Sequence, residues 1–496
     1  MAAIILEKFR THNAKQFIED FGETGSSNYI FIGRSHSWTD DNSPPAPFNA
    51  ESEEVRAFED MIALKKVSTT DVSHGLVRYN WTAGVVYDEY RDDYSSSNQT
   101  PSGANNFYDG RGYVVTSDYK VYKCLKTPKS GGAHADVGTP VAAAVGSEPS
   151  GTSTANPEIT ADGYQWKFMY QISASDVIKF VTNDFIPVKT LGAQTSVAGS
   201  LGALGSTGTD DGSAQYDVEA AAVDGGIYRY IITNPGSGYT LDSGTTIDVA
   251  VEGDGSGAIA TLTFASGQLS SVTYKDASSY GSGYKRASFP TLDSTISGIS
   301  GGSGATIEAV ISPIHGHGAN PIEELGGNYV VVNSRLEFSE AAGGNDFPTD
   351  NDFRQIGLIK NPIASSSGAV STANTMTATR ELTLLDASNI AVDNIITSDT
   401  TNNVSTKRAR VISKTGNVIR VHTIVNGGGE FVNFANDDDV YINASGVKIT
   451  DVASSGVSSV HPEMTQYTGQ ILYLENRGPV TRAADQIEDI KLIIEM

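Results

Sequence analysis

Hydrophobic residues along this chain come mostly in short runs that alternate with polar ones, the spacing of strands with one buried face. Helical spacing is confined to the start. Ala14, Phe17, Ile18 and Phe21 share one helical face behind Thr11, a residue suited to cap a helix, and Gly22 follows as a stop. A second helix is predicted from about Glu51 to Lys66. Val55, Phe58 and Ile62 share its face, acids crowd its first turn, and Lys65 and Lys66 stand at the end the helix dipole favours. Between the two, Tyr29 to Ile32 reads as a buried strand leading into Gly33-Arg34-Ser35 and Trp38.

From residue 67 the pattern turns to strands, at Val77–Trp81, Val85–Tyr87, Gly112–Val115 and Lys120–Leu125. Residues 129–162 are rich in Gly, Ser, Ala, Thr and Pro and read as a long loop; Asp162-Gly163 then turns into an aromatic strand ending at Tyr170. Strand texture returns at Tyr329–Val332 and from Phe353 to Pro362. It closes the chain in Gly469–Met496, where the runs Ile471–Leu474 and Ile490–Ile494 flank a polar arm carrying Arg477, Arg482, Asp485 and Glu488. Gly478-Pro479 is expected to break the chain after the first run. In the second, Ile490, Leu492 and Ile494 alternate with Lys491, Ile493 and Glu495, which predicts a last strand tied into a sheet.

Two segments differ in texture. Residues 193–312 are glycine-rich and contain a repeat: Gly236-Ser237-Gly238-Tyr239 recurs as Gly281-Ser282-Gly283-Tyr284, and Ser256-Gly257-Ala258 recurs as Ser303-Gly304-Ala305. Two copies of roughly 46 residues imply two similar β units packed as one small domain. After a Ser, Thr and Ala linker at 364–379, short strands at Glu381–Leu385, Lys407–Ile412, Val418–Ile424 and Asp439–Ile442 carry the signature of a small barrel or sandwich. The fold class expected is mainly β: a discontinuous β-sandwich frame (1–192, 313–365 and 463–496) with a few helices near its N-terminus and two small inserted β domains, 193–312 and 366–462.

Charge narrows the function classes. The chain carries 34 Lys and Arg against 58 Asp and Glu, a net charge of −24. That argues against binding nucleic-acid backbone, which needs clustered cations. Cys124 is the only cysteine, so no intrachain disulfide forms and a cysteine-based zinc site is excluded. The opening MAAIILEKFR lacks the form of a signal peptide, and no run reaches the ~20 apolar residues of a membrane-spanning helix. A soluble protein folded in a reducing cytoplasm is expected, with no membrane insertion.

Candidate chemistry is sparse. His315 and His317, two apart on a strand, would face the same side and could reach one metal ion near Glu323 and Glu324, as a metal-dependent glycan hydrolase would need; a glycine-rich loop exit is the plain alternative. Gly298-Ile299-Ser300-Gly301-Gly302 matches a nucleophile elbow in letters but lacks the strand-to-helix context. Asp350 with Asp352, and Asp437-Asp438-Asp439, fit solvated turn acids better than a calcium loop. Tyr164, Trp166, Phe168 and Tyr170 alternate and could stack on sugars, although strand aromatics usually fill cores. No catalytic, cofactor-binding or metal-binding residue is assigned.

Several stretches together resemble one family. They are Lys8-Phe9-Arg10-Thr11; Phe31-Ile32-Gly33-Arg34-Ser35 with Trp38; Arg78 to Trp81; Val121 to Leu125; Asp162-Gly163-Tyr164 with Trp166; Phe353-Arg354-Gln355-Ile356 with Asn361-Pro362; and Tyr473 to Arg477 through Asp485-Gln486. In this order they resemble the baseplate wedge subunit, gene product eight, of T-even-like contractile-tailed phages. The resemblance covers roughly 1–192, 313–363 and 464–496, a little over half the chain. It implies a mainly β virion protein without enzymatic activity or cofactor, a late protein forming a homodimer that contacts other wedge subunits. Residues 193–312 and 366–462 depart from the family as insertions. A carbohydrate-binding adhesin of the tail is the alternative function. Segments around Arg34, Arg354 and Arg477 are expected to position the frame through guanidinium forks; ordinary surface ion pairs are the alternative.

Overall fold

The computed structural model describes residues 4–496 except 131–137, 192–213, 338–346, 350, 402–403, 444–445 and 484–485. Residues 193–213 of the glycine-rich segment, Asp350 and Asp485 thus lie outside the described residues. Among the described residues the chain is mainly β, with 27 strands and five α-helices. It divides into two compact units, one built from Met1–Ile18, Ser73–Val331 and Ile493–Met496, the other from Glu19–Val72 and Val332–Leu492.

In the second of these units, Asn28–Gly33 is paired on both edges, with Met61–Val67 and Asp352–Lys360, and is buried along its whole length, so both of its faces are covered. A strand covered on both faces needs a continuous apolar run, and Tyr29-Ile30-Phe31-Ile32 supplies it. The five-stranded sheet is ordered Thr375–Thr377, Met61–Val67, Asn28–Gly33, Asp352–Lys360, Gln470–Thr481.

Four expectations change in and beside this sheet. The helix expected to reach Lys66 stops at Asp60, and Met61–Val67 is a strand with its first four residues buried. A short apolar run such as Met61-Ile62-Ala63-Leu64 suits either element, and pairing with Asn28–Gly33 decides it. Val55, expected on the core face, is exposed. The 364–379 segment, expected as a linker, supplies the strand Thr375–Thr377. Gly478-Pro479 does not break the terminal strand, which runs from Gln470 to Thr481. That strand is the outer one, where a missing N–H is tolerated, and the two residues fall where the register slips between Phe353↔Val480 and Gln355↔Asn476.

Later in the chain six strands close a barrel in the order Arg380–Leu384, Val418–Thr423, Arg408–Thr415, Ile395–Thr397, Asp439–Ile442, Lys448–Val457. Leu382, Leu384, Ile396, Val411, Val421 and Val440 are among the residues that fill a core of its own. Closure leaves no open sheet edge.

In the other unit the helix Glu7–Asp20 begins ahead of Thr11, which is buried within it beside Ala14 and Ile18 rather than capping it. The strand expected at Val77–Trp81 is Val72–Val77. Val85–Tyr87 is irregular: the Tyr87 amide donates to the Tyr164 hydroxyl, and the Val85 carbonyl accepts from Ala143, so no ladder is needed. Lys120–Lys126 pairs between Tyr113–Val115 and Gln165–Gln171. Tyr164, Trp166 and Phe168 pack into one core, while Tyr170 joins another together with Met169. A register slip between Val121↔Tyr170 and Tyr122↔Phe168 inserts Met169 and changes which face follows.

The two glycine-rich repeats interlock. Ser303↔Ser237 and Ala305↔Pro235 pair the second copy's Ser-Gly-Ala strand with the first copy's Gly-Ser-Gly-Tyr segment. Ser256↔Ser282 and Ala258↔Tyr280 do the same with the copies exchanged. Both feed one core that includes Tyr239, Leu262, Phe264, Tyr284 and Ala305, so neither copy is complete alone. The exchange requires glycine. At Gly236 (φ +66) a Cβ would lie 2.6 Å from the Ala305 amide nitrogen, and at Gly281 (φ +65) 2.5 Å from that of Ala258.

The last strand is Glu488–Glu495. Ile490 and Leu492 are buried there, as their alternation requires; Ile494 is only half-buried.

Candidate functional site

His315 and His317 do not face one ion. Their segment is a turn, with φ +72 at His315 and +97 at Gly316, and it leaves His315 exposed while His317 is buried. His317 belongs instead to a buried charge cluster. Lys123, on the Lys120–Lys126 strand, donates to Glu324 Oε2 at 2.8 Å, and the Gly318 amide donates to Oε1 at 2.6 Å. The two charged side chains are 0% and 4% exposed. The Lys123 ammonium also lies 4.2 Å from the centre of the Tyr90 ring and 5.2 Å from that of Phe107. His317 stands edge-on to Tyr90 with Nδ1 3.7 Å from Glu324 Oε2, too far for a hydrogen bond.

Glu324 is delivered by a short helix, Pro321–Leu325. The Asn320 side chain caps it by accepting from the Glu323 amide, Pro321 fits its first turn, and Gly326 at φ +78 ends it. Burial alone pushes the Glu324 carboxyl up, but the Lys123 ammonium beside it reverses this and holds it at about 2. Burial pulls Lys123 down against the opposing pull of the Glu324 carboxylate; the 2.8 Å contact has the geometry of an ion pair. Burial, reinforced by Lys123, pushes His317 down to about 4, so its imidazole is neutral. Across the strands Lys167 faces Lys123, a like-charge pairing that is eased because burial pushes Lys167 down to about 8 and its ammonium donates to the Thr154 and Ala155 carbonyls. Sealed from solvent, this cluster holds the helix to the sheet; it presents no atom to a substrate.

The other sequence candidates are engaged in local structure. Ser300 Oγ lies 3.0 Å from Thr240 Oγ1, and the strand Gly301–Ile311, not a helix, follows it. Asp352 accepts from Arg354 and Thr481. Asp437 accepts from Ser454, Asp438 from Lys407, and Asp439 pairs with Lys448. Tyr164, Trp166, Phe168 and Tyr170 are all buried and offer no stacking surface. Among the described residues, Asp92, Asp93 and Glu308 bring three carboxylates together, but Arg91 already bonds to Asp93 and Glu308.

The three arginines divide by role. Arg354 holds Asp41 in a fork, Nε to Oδ1 at 3.0 Å and Nη2 to Oδ2 at 2.9 Å, and adds Asp352 at 2.9 Å and the Ser35 carbonyl at 2.5 Å. At 5% exposed it is an internal clamp. Arg34 has a left-handed backbone (φ +55), reaches Asp60 only at 3.4 Å, and stacks 3.5 Å above the Trp38 ring. Arg477 contributes its carbonyl, which accepts from Trp38 Nε1 at 3.0 Å; its side chain is exposed.

No protein-family model matches the chain. The chain is similar to baseplate wedge protein gp8 of Enterobacteria phage T4, 26% identical over 210 residues, which is 38% of this chain and 60% of that protein. The likeness is to a baseplate wedge protein. The chain spans about three fifths of the length of that relative.

Sequence reasoning missed the Lys123–Glu324 pair. Half of the signal was present: Asn320-Pro321 followed by Gly326 marks a short capped helix, and a lysine inside an apolar strand must find a partner. The partner stands 201 residues away, a pairing that only the fold makes visible.

Proposed function

We propose that this chain is a structural subunit of a contractile-tail baseplate wedge that holds neighbouring wedge proteins in place and catalyses no reaction. The similarity to baseplate wedge protein gp8 carries this reading. The internal engagement of Glu324, Arg354 and the turn acids is in keeping with it, since these charges stiffen the subunit. In this reading the frame segments 1–192, 313–365 and 463–496 carry the assembly contacts, and 193–312 and 366–462 are modules set into it. The subunit is a homodimer of the virion's tail baseplate, assembled in the host cytoplasm, without cofactor, nucleic acid or membrane insertion. No helix among the described residues is long and apolar enough to cross a membrane. When the baseplate rearranges, such subunits move as rigid bodies. Deleting the gene and imaging the particles tests this: baseplates should be incomplete, and complete ones would refute it. Light scattering on the purified protein should give the dimer mass, and a strict monomer would remove the dimer alone.

A further inference from the structure

Arg34 follows the strand Asn28–Gly33, and Asp60 ends the helix Glu51–Asp60. Arg410 and His422 sit opposite each other on the barrel strands Arg408–Thr415 and Val418–Thr423. His422 meets the carbonyl of Met61, the residue after Asp60, and stands in register with Arg410, which brings this side of the barrel to Asp60 and its contacts Arg34 and His36. They are poorly matched to one another. Asp60 meets Arg34 Nη1 at 3.4 Å and His36 Nδ1 at 3.9 Å. Arg34 Nη2 reaches the Ser37 carbonyl at 3.4 Å, and Arg410 Nη1 reaches Asp393 at 3.7 Å. The Nε atoms of Arg34 and Arg410 are both buried without a hydrogen-bond partner. His422 is engaged elsewhere, through Nε2 and the Met61 carbonyl at 2.7 Å. The nearby Arg354 and Arg56 have close carboxylates of their own, Asp41 and Glu53.

The charges follow from this geometry. Burial, aided by Arg34 and Arg410 at His36 and by Arg410 at His422, keeps both imidazoles neutral, at about 4. Burial raises Asp60 to about 6, so its charge is weakly held, and Asp393 is more than half exposed, where water screens it. Two guanidinium groups are left with loosely held counter-charge in a chain of net −24. The group is open to solvent, with the side chains of Arg34, Arg410 and His36 17%, 22% and 33% exposed.

We propose that Arg34 and Arg410, beside His36 and Asp60, receive a carboxylate side chain of a neighbouring protein in the assembly. The baseplate reading supplies the neighbour, and this chain's own atoms supply the site. A carboxylate is planar, fits an arginine fork and adds a single negative charge, which suits two guanidinium groups whose own carboxylate contacts, Asp60 and Asp393, are long. Arg410 is the residue to vary, since Arg34 also packs on Trp38.

Phage encoding Arg410→Glu or Arg410→Gln, together with gene-deleted phage, would be imaged for complete baseplates while the purified full-length variants are melted. The variant proteins should melt as the unaltered protein does, and Arg410→Glu should lose complete baseplates by on the order of tenfold, with a smaller loss for Arg410→Gln. Full assembly by both variants, when gene deletion abolishes baseplates, overturns the proposal and leaves the baseplate reading standing. Complete baseplates after gene deletion would instead overturn the reading. If Arg410→Glu unfolds, Arg410→Gln decides. A second arm melts the protein in inorganic phosphate at constant ionic strength. A phosphate-dependent rise that Arg410→Gln abolishes, with normal assembly of both variants, would show that the site takes a free anion and would overturn the side-chain assignment.

Discussion

Replacing Glu324 by Gln isolates what the buried ion pair contributes. The change keeps size and leaves an oxygen that can still accept from the Gly318 amide, but it strips the Lys123 ammonium of its carboxylate in a site with 0% exposure. Tyr90 and Phe107 beneath the ammonium replace only part of that interaction. Removing one partner of a buried pair costs about 3–5 kcal/mol, because the remaining charge is left without a counter-ion. Lys123→Met alone should also destabilise, since it strands the buried Glu324 carboxylate. The double variant Lys123→Met with Glu324→Gln should recover at least about 2 kcal/mol relative to the sum of the two single changes. A chain with several cores does not melt as one two-state unit. The assay is therefore hydrogen exchange at the amides of Gly318 and of the Pro321–Leu325 helix, read as a double-mutant cycle. A cost below about 1 kcal/mol for Glu324→Gln, or additive single changes, would refute the reasoning, because either means that the pair is solvated or uncoupled.

Other outcomes follow from the same structure. Burial pushes His74, His317 and His422 each to about 4, whereas unfolded histidines titrate near ~6.5, so their stability is whole above that pH and is lost as pH falls toward 4. Each should contribute a slope of up to about 1.4 kcal/mol per pH unit, opposed by Asp60, whose contribution is lost as pH rises through about 6. Melting temperature should drop between neutral pH and the region of 4.5, and a flat profile would contradict this. Gly236→Ala and Gly281→Ala should each destabilise the repeat region by more than about 1 kcal/mol and by similar amounts, measured by urea unfolding, because they occupy equivalent positions in the exchanged copies. A silent substitution at either site would show that the interlock is not symmetric in energy. Residues 380–457 expressed alone should fold as the closed barrel, whereas removing Gly469–Met496 should prevent the frame from folding; a cooperatively melting truncated frame would show that the outer strand Gln470–Thr481 is dispensable.

Much of the fold was legible because local period reports local burial. The run Tyr29–Ile32, the alternation at Ile490 and Leu492, and the barrel strands at Val418 and Asp439 all stand where their spacing places them. The errors have a common cause. Met61–Leu64 became a strand, Thr375–Thr377 left the linker, and Gly478-Pro479 stayed inside a strand because a partner strand, or an open edge, outweighed the local preference. Propensities differ by fractions of a kcal/mol per residue, and a row of ladder bonds with a buried face exceeds that.

By itself, then, the sequence determined the mainly β class, the repeat, the lone cysteine and the acidic surface, all properties of composition or of neighbours a few residues apart. Only the tertiary structure decided that His315 and His317 part company, that Lys123 finds Glu324, that each repeat completes the other, and that the barrel's His422 meets the Met61 carbonyl beside Asp60. Those are matters of distance between residues tens to hundreds of positions apart. No periodicity records them, because the chain encodes them only through the packing of everything between.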